Sequence, residues 1–146
     1  MLRKIYLLAI ALFSVSAMAY QTEYPTFAAF ANHLMPQKLH DCMVEAWLSA
    51  GTPDDLTAQA QKALIDARGV LAANQVTITA GINRLNAAWA QYPVKSLDVG
   101  IADFILRREM EPVEKAFSAA ALTVLNLMSA DQRKLYDADF AVCIAK

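Results

Sequence analysis

Apolar residues recur every three or four positions from Leu56 to Tyr92, and this pattern limits the possible folds more than any other feature. Such spacing places apolar side chains on one face of a helix. At about 1.5 Å per residue, the helix would approach 60 Å, longer than a compact globule of this size requires. We therefore expect one long amphipathic helix, ended by Pro93 and bent near Asn74. Its apolar positions are Leu56, Ala60, Ala63, Ala67, Val70, Ile78, Ile82, Leu85, Trp89 and Tyr92.

A second long helix is predicted from Ser96 onward. Pro112 lies in its middle, where the missing N–H removes one backbone hydrogen bond and favours a kink. Only a short turn separates the two long helices, so we expect them to form an antiparallel hairpin. The apolar positions of the second helix include Ile101, Phe104, Ile105, Val113, Phe117, Ala120, Val124 and Leu127.

Shorter helices are predicted at both ends of the hairpin. Phe27 to Leu34 and Lys38 to Ala50 precede it, and Gly51 suits the position after a helix end. Thr52 and Pro53 then predict the N-cap and first residue of the long helix. The expected fold is therefore all-α, a long antiparallel helical hairpin with shorter terminal helices.

The first 19 residues have the pattern of a secretory signal peptide. Arg3 and Lys4 precede an apolar run, and small residues before Tyr20 match a cleavage site after Ala19. We expect residues 20–146 to form a single domain, exported to the periplasm or secreted, with no stable membrane insertion. Removal of the leader leaves 11 of the 13 basic side chains against 14 acidic ones, a net charge of about −3. Nucleic-acid binding is not expected, because it requires a basic face.

Two cysteines, Cys42 and Cys143, remain in the mature chain. In an oxidising compartment an even pair predicts a disulfide, here one that ties the first helices to the last. The alternatives are a pair of metal thiolates or two free thiols.

The sequence offers little for catalysis or metal binding. No serine lies in a glycine-flanked elbow, and the acids of the second long helix alternate with basic residues, as on a solvated face. We therefore expect no enzyme and no cofactor. His33 and His40 are weak metal candidates with Met35 and Met43 nearby, but Pro36 interrupts the helix between them, and we expect no metal site.

Ser129 and Gln132 have the spacing of a capping box, in which serine and glutamine each bond the other's backbone N–H. Leu135, Tyr136, Phe140 and Cys143 would then face inward or toward a partner. The segment Met128–Gln132 resembles the L-T-x-x-Q motif of the small periplasmic Spy/CpxP-like proteins, with Met for Leu and Ser for Thr. Their other copy of the motif would fall at 71–75, where Ala72 has no capping oxygen.

The resemblance runs from about Leu97 to Phe140 and implies a curved all-helical homodimer that acts in envelope stress. Members of that family are ATP-independent chaperones or ligands of a sensor kinase. This chain differs from the family's chaperones in its acidic charge, and its cysteine pair is not part of the family pattern.

The second long helix carries more apolar residues than one face of a thin hairpin can bury. We expect the surplus to form a dimer interface or a surface for unfolded or membrane-associated client proteins. The candidate residues for this surface are Phe104, Ile105, Met110, Phe117, Leu122 and Leu125.

The sequence thus predicts a periplasmic binding protein, either an ATP-independent chaperone or an envelope-stress accessory protein. Two alternatives stay open. One is a metal- or stress-responsive regulator of a membrane sensor, and the other is a monomeric, disulfide-tied inhibitor or scaffold of one partner.

Overall fold

The computed structural model describes residues 24–146, and the expected signal peptide lies outside these residues. Within the described range the chain forms helices and no strands, which confirms the predicted all-α fold. In chain order the helices are α1 (Phe27–Leu34), α2 (Gln37–Ser49), α3 (Asp54–Ala90), α4 (Ser96–Asn126) and α5 (Ala130–Ala145).

The two long helices, α3 and α4, pair side by side and form the centre of the molecule. A short connection at residues 91–95 turns the chain back, so the two helices run antiparallel. Each is one helix: α3 continues through Asn74, and α4 continues through Pro112. The predicted hairpin is thus present, with α3 about 55 Å long at 1.5 Å per residue.

The core of the hairpin lies along one face of each long helix. Ile78 on α3 and Met110 and Val113 on α4 belong to one apolar cluster, and all three are fully buried. The helices approach closely at Gly81, where a Cβ atom would overlap the carboxylate of Glu109. The buried face of α4 consists of Val99, Ala102, Leu106, Met110, Val113, Phe117, Ala120 and Val124.

Helix α1 extends this core at the end where the hairpin turns. The hydroxyl of Thr26 accepts a hydrogen bond from the backbone N–H of Ala29 and caps the helix. Phe30 is buried against the edge of Tyr24, with 5.8 Å between ring centroids. The side-chain amide of Asn86 on α3 donates to the carbonyl of Pro25 at 3.3 Å, which fixes the entry to α1.

A second apolar cluster joins α2 and α5 to the other end of the hairpin. Trp47 of α2 and Tyr136 of α5 are buried in it, together with Met128. The indole N–H of Trp47 donates to the hydroxyl of Thr57 on α3 at 2.9 Å, so α2 is tied to the hairpin. Burial raises the pKa of Tyr136 to about 12, and the neighbouring Asp137 carboxylate adds to the shift.

The turn between α2 and α3 follows the sequence expectation in one respect and departs from it in another. Gly51 has a φ of 65°, the left-handed conformation predicted after a helix end. The prediction that Thr52 caps α3 is wrong, because Pro53 holds the cap position and α3 begins at Asp54. The hydroxyl of Thr52 instead donates to the carbonyl of Trp47 at 3.0 Å and secures the end of α2.

Tyr92, expected on the apolar face of the first long helix, and Leu135, expected to face inward or toward a partner, are both exposed. Tyr92 lies beyond the last residue of α3, so the helical spacing that predicted its burial does not reach it. Leu135 is exposed because α5 turns the adjacent Tyr136 toward the core, and neighbouring helical positions point about 100° apart. The turn and the outer face of α5 therefore carry apolar side chains on the surface.

Candidate binding surface

An apolar stripe runs along the face of α4 that points away from α3. Leu97, Ile101 and Phe104 are 73%, 50% and 62% exposed, and together they are called the outer stripe below. Their spacing of four and then three residues aligns them on one side of the helix, opposite the buried face. Helix α4 is thus apolar on two sides over its first three turns, and only one of these sides is covered within the described chain.

The hairpin turn continues the outer stripe toward the end of the molecule. Tyr92 is fully exposed, and Val94 is 47% exposed. A large aromatic side chain presents about 150–250 Å², so these five residues offer roughly 600 Å² of largely apolar surface. A patch of that size is at the upper end of what monomeric proteins expose.

Charged side chains limit the outer stripe at both ends. Asp98 follows Leu97 in the first turn of α4, and Arg108 lies one turn beyond Phe104 with its guanidinium 5.9 Å from the ring centroid. Among residues 24–146, neither Asp98 nor Arg108 has an oppositely charged partner within 4.0 Å.

The next acid along α4 is already engaged within the chain. Lys115 hydrogen-bonds Glu111, and its positive charge adds to the effect, which lowers the pKa of this carboxyl below its ordinary value. Asp103 is likewise paired with Arg107, at 2.8 Å. The charge of Arg108 also acts on Glu111 and contributes to the lowering of its pKa.

The six residues predicted for a client or dimer surface lie in three different environments. Phe104 belongs to the outer stripe, and Leu122 is exposed farther along the same helix. Ile105 is half-buried, and Leu125 is half-buried at the edge of the second cluster. Met110 and Phe117 lie in the hairpin core, so the described chain does not present them at its surface.

Leu97, Tyr92 and Val94 were not among the residues predicted for the surface. Ile101 was predicted only as one of the apolar positions of the second long helix. The available signal was the separation of two apolar series on α4. Leu97, Ile101 and Phe104 form one series, and Val99, Ala102 and Leu106 form another, offset by one or two residues. Both series have helical spacing, so spacing alone could not show which one faces α3.

A shallow groove of about 490 Å³ lies between α3 and α4 near the second cluster. Methyl groups dominate its floor, and an ion pair of Lys62 and Asp66, 2.6 Å apart, lies on its rim. The surface of the groove is therefore mainly apolar and has few hydrogen-bonding groups. Its lining comprises Gln59, Lys62, Ala63, Asp66, Ala67, Val70, Ala116, Ala119, Ala120 and Thr123.

A half-buried carboxylate lies between the two long helices. Glu109 reaches across to Arg84 at 3.5 Å, while its Oε2 atom is shielded from solvent and makes no hydrogen bond. The missing side chain of Gly81 creates the space for this carboxylate. The arrangement sets the spacing of α3 and α4 beneath the outer stripe.

The predicted disulfide between Cys42 and Cys143 is present and links α2 to α5 across 101 residues of sequence. The ammonium group of Lys38 on α2 also donates to the carbonyl of Ile144 on α5, at 3.2 Å. The disulfide and this hydrogen bond hold the last helix in place, since Tyr136 is its only buried residue.

The predicted capping box is also present. The hydroxyl of Ser129 accepts from the N–H of Gln132 at 3.3 Å, and the side-chain oxygen of Gln132 accepts from the N–H of Ser129 at 2.9 Å. The box fixes the direction of α5 and thereby the position of Cys143.

The two histidines lie on separate helices and have different neighbours. His33 on α1 contacts the ring of Tyr24, with 4.9 Å between centroids, and His40 on α2 lies 3.4 Å from the carboxylate of Asp41. Among residues 24–146 no cluster of three or more histidine, cysteine or acidic side chains is placed to hold a metal ion. None of the helices in that range is both long and apolar enough to cross a membrane.

Comparison with protein-family models, curated proteins and solved structures finds no match to this chain. The resemblance to the Spy/CpxP-like proteins, which depends on the segment Met128–Gln132, therefore stays a prediction. The absence of an enzymatic activity also stays a prediction.

Proposed function

We propose that this chain is an exported helical binding protein that shields apolar segments of other proteins without ATP. Its clients would be unfolded or membrane-associated proteins, and its place of action the periplasm or the cell exterior. The outer stripe of α4 is the observation that carries this proposal, because three large apolar side chains stay exposed on a well-packed helix.

The outer stripe suits reversible binding of apolar segments. Burial of apolar surface provides the driving force and is not directional, so segments of different sequence can bind. Ordering of the client and the loss of its free motion offset much of this gain, which leaves a moderate affinity. Release then follows from the client's own folding and requires no nucleotide hydrolysis.

Two further features support an exported protein in an oxidising compartment. The Cys42–Cys143 disulfide is typical of proteins that leave the cytosol. The leader pattern before Tyr20 predicts secretion. The resemblance at Ser129 and Gln132 to a family of envelope-stress proteins agrees with this location and with a chaperone role.

Light scattering of a heat-denatured client enzyme tests the proposal. The oxidised chain should slow the rise in scattering when it is mixed with the client at equimolar ratio without nucleotide. An equal mass of an inert helical protein serves as the control. If a tenfold molar excess of this chain leaves the scattering curve unchanged, the proposal is contradicted.

A further inference from the structure

Helices α2 and α5 form a unit apart from the core of the hairpin, and they are called the terminal pair below. Among residues 24–146, neither helix contributes a side chain to the cluster that contains Ile78 and Met110. The two helices pack against each other and belong to the second cluster, through Trp47 of α2 and Tyr136 of α5. Parts of a protein that have separate apolar clusters open at different free energies. The hairpin can therefore stay folded while the terminal pair changes.

Helix α5 has little packing of its own. Tyr136 is its only buried residue, and Phe140 is half-buried at the edge of the second cluster. Two exposed hydrogen bonds attach its ends, one through Lys38 and one through Gln132. The helix has 16 residues, and an isolated helix of that length is marginal in water. The disulfide is thus the main restraint that keeps α5 in place.

We propose that the Cys42–Cys143 disulfide is a redox switch, whose cleavage by a dithiol reductant releases α5 and uncovers the second cluster. Trp47, Val124 and Met128 belong to that cluster and lie on α2, on α4 and in the segment after α4. When α5 leaves, these side chains lose the cover that it provides. The reduced chain thus exposes an apolar surface that the oxidised chain buries.

The two sulfur atoms differ in their access to a reductant. Cys42 is 1% exposed, whereas Cys143 is half-buried near the end of α5. A thiolate of the reductant therefore attacks Sγ of Cys143 and forms a mixed disulfide, while Sγ of Cys42 leaves with the bonding electrons and takes up a proton.

A second exchange completes the reduction. The other thiolate of the reductant attacks the reductant sulfur that is bound to Cys143, which closes a cyclic disulfide in the reductant. Sγ of Cys143 leaves as a thiolate and takes up a proton. In total, two electrons and two protons pass from the dithiol to the protein disulfide.

Helix α2 keeps its position when α5 is released. The indole N–H of Trp47 still donates to the hydroxyl of Thr57 on α3, and the hydroxyl of Thr52 still donates to the carbonyl of Trp47. Neither bond involves α5. The change is therefore confined to the last helix, and the uncovered surface keeps its shape on α2, α3 and α4.

Hydrogen–deuterium exchange followed by mass spectrometry tests the switch on the oxidised chain and on the chain reduced with dithiothreitol. At short labelling times, reduction should speed exchange in residues 130–145 about tenfold or more, while the centres of α3 and α4 stay protected. The double variant Cys42→Ser and Cys143→Ser should show the reduced pattern without reductant. Unchanged protection of α5 after reduction would overturn the inference. An equal loss of protection along α3 and α4 would also overturn it, because the disulfide would then hold the whole fold.

The two tryptophans provide a matched pair of reporters, since Trp47 lies in the second cluster and Trp89 packs against the core of the hairpin. In the Trp89→Phe variant, reduction should shift the emission of Trp47 to longer wavelength and increase its quenching by acrylamide. In the Trp47→Phe variant, the emission of Trp89 should not change. No response of Trp47, or an equal response of Trp89, would contradict a release that is confined to α5.

A brief reaction with the monothiol mercaptoethanol, quenched in acid, identifies the sulfur that is attacked. Peptide mapping should find the adduct on Cys143, and an adduct mainly on Cys42 would refute the assigned access. These measurements follow only the disulfide and the release of α5, so their outcome is independent of the proposed function.

Discussion

The side-chain amide of Gln132 donates a hydrogen bond to the carbonyl of Gly51, 3.4 Å away and 81 residues earlier in the chain. The same side chain accepts from the N–H of Ser129 in the capping box. Gln132 therefore caps α5 and also attaches its first turn to the turn between α2 and α3. A motif that looks local in sequence thus contributes to the packing of the whole terminal pair.

A substitution that removes both bonds of Gln132 should lower the free energy of unfolding more than one that removes the cap alone. We expect Ser129→Ala to lower the free energy of unfolding by about 1 kcal/mol, a typical value for an N-cap serine. Gln132→Ala should cost about 1–2 kcal/mol, because the bond to Gly51 is lost as well. Urea denaturation measures both values. Ser118→Ala, at an exposed position within α4, should be neutral or slightly stabilising, and a loss there equal to that of Ser129→Ala would contradict the assignment.

The disulfide should be the largest single contribution to stability. Cys42 and Cys143 are 101 residues apart, and a closed loop of that size restricts the unfolded chain by about 4–5 kcal/mol. The double variant Cys42→Ser and Cys143→Ser should unfold at a markedly lower denaturant concentration. The reduced wild-type chain is the matched control and should behave alike, since both lack only the bond. Equal midpoints for the oxidised and reduced chains would be incompatible with this account.

Two glycines of α3 should respond in opposite ways to the same substitution. Gly69→Ala should raise the free energy of unfolding by about 0.5–1 kcal/mol, because nothing lies within 4 Å of the added methyl and alanine favours helix. Gly81→Ala should instead lower the free energy of unfolding by about 1 kcal/mol, since the methyl displaces Glu109 and comes within 2.9 Å of Leu106. Thermal denaturation of the two variants makes the comparison. Equal stabilisation by both would contradict the close approach of α3 and α4 at Gly81.

Tyr136 should make stability fall at high pH. Burial raises its folded pKa to about 12, above the ordinary value of 10.0, so the folded state favours the neutral phenol. The neutral phenol contributes fully to the free energy of unfolding below pH 10, and this contribution is lost as the pH rises through 12. At 1.36 kcal/mol per pKa unit the whole loss is about 2–3 kcal/mol. Denaturation at pH 9 and pH 11.5 measures this difference. Tyr136→Phe should show a smaller fall, and an identical fall in both proteins would refute the role of this residue.

Local signals in the sequence account for most of the helices. The capping box at Ser129, the left-handed Gly51 and the start of α4 at Ser96 each depend on residues within one or two turns. The bond from Gln132 to Gly51 could not be predicted, because it joins segments that only the packed fold brings together. The cap of α3 was misassigned for a local reason, since the hydroxyl of Thr52 bonds the carbonyl of Trp47, five residues earlier, at the end of the preceding helix.

The binding surface was only partly predictable. Helix α4 has apolar residues on two opposite faces, and both series fit the helical period. The pairing with α3 buries Met110 and Phe117 and leaves Leu97 and Ile101 outside, which depends on the register of two helices rather than on the pattern of one. The surplus of apolar residues did predict that a surface of this kind exists.

The central claim is that the outer stripe of α4 binds apolar segments, and a pair of isoleucine variants tests it most directly. Ile101 lies in the outer stripe, whereas Ile65 is 64% exposed on α3 and belongs to no such stripe. Aggregation of the heat-denatured client, followed by light scattering, should proceed nearly unhindered with Ile101→Lys. Ile65→Lys should protect the client as well as the wild-type chain does. Equal protection by the two variants would contradict the account.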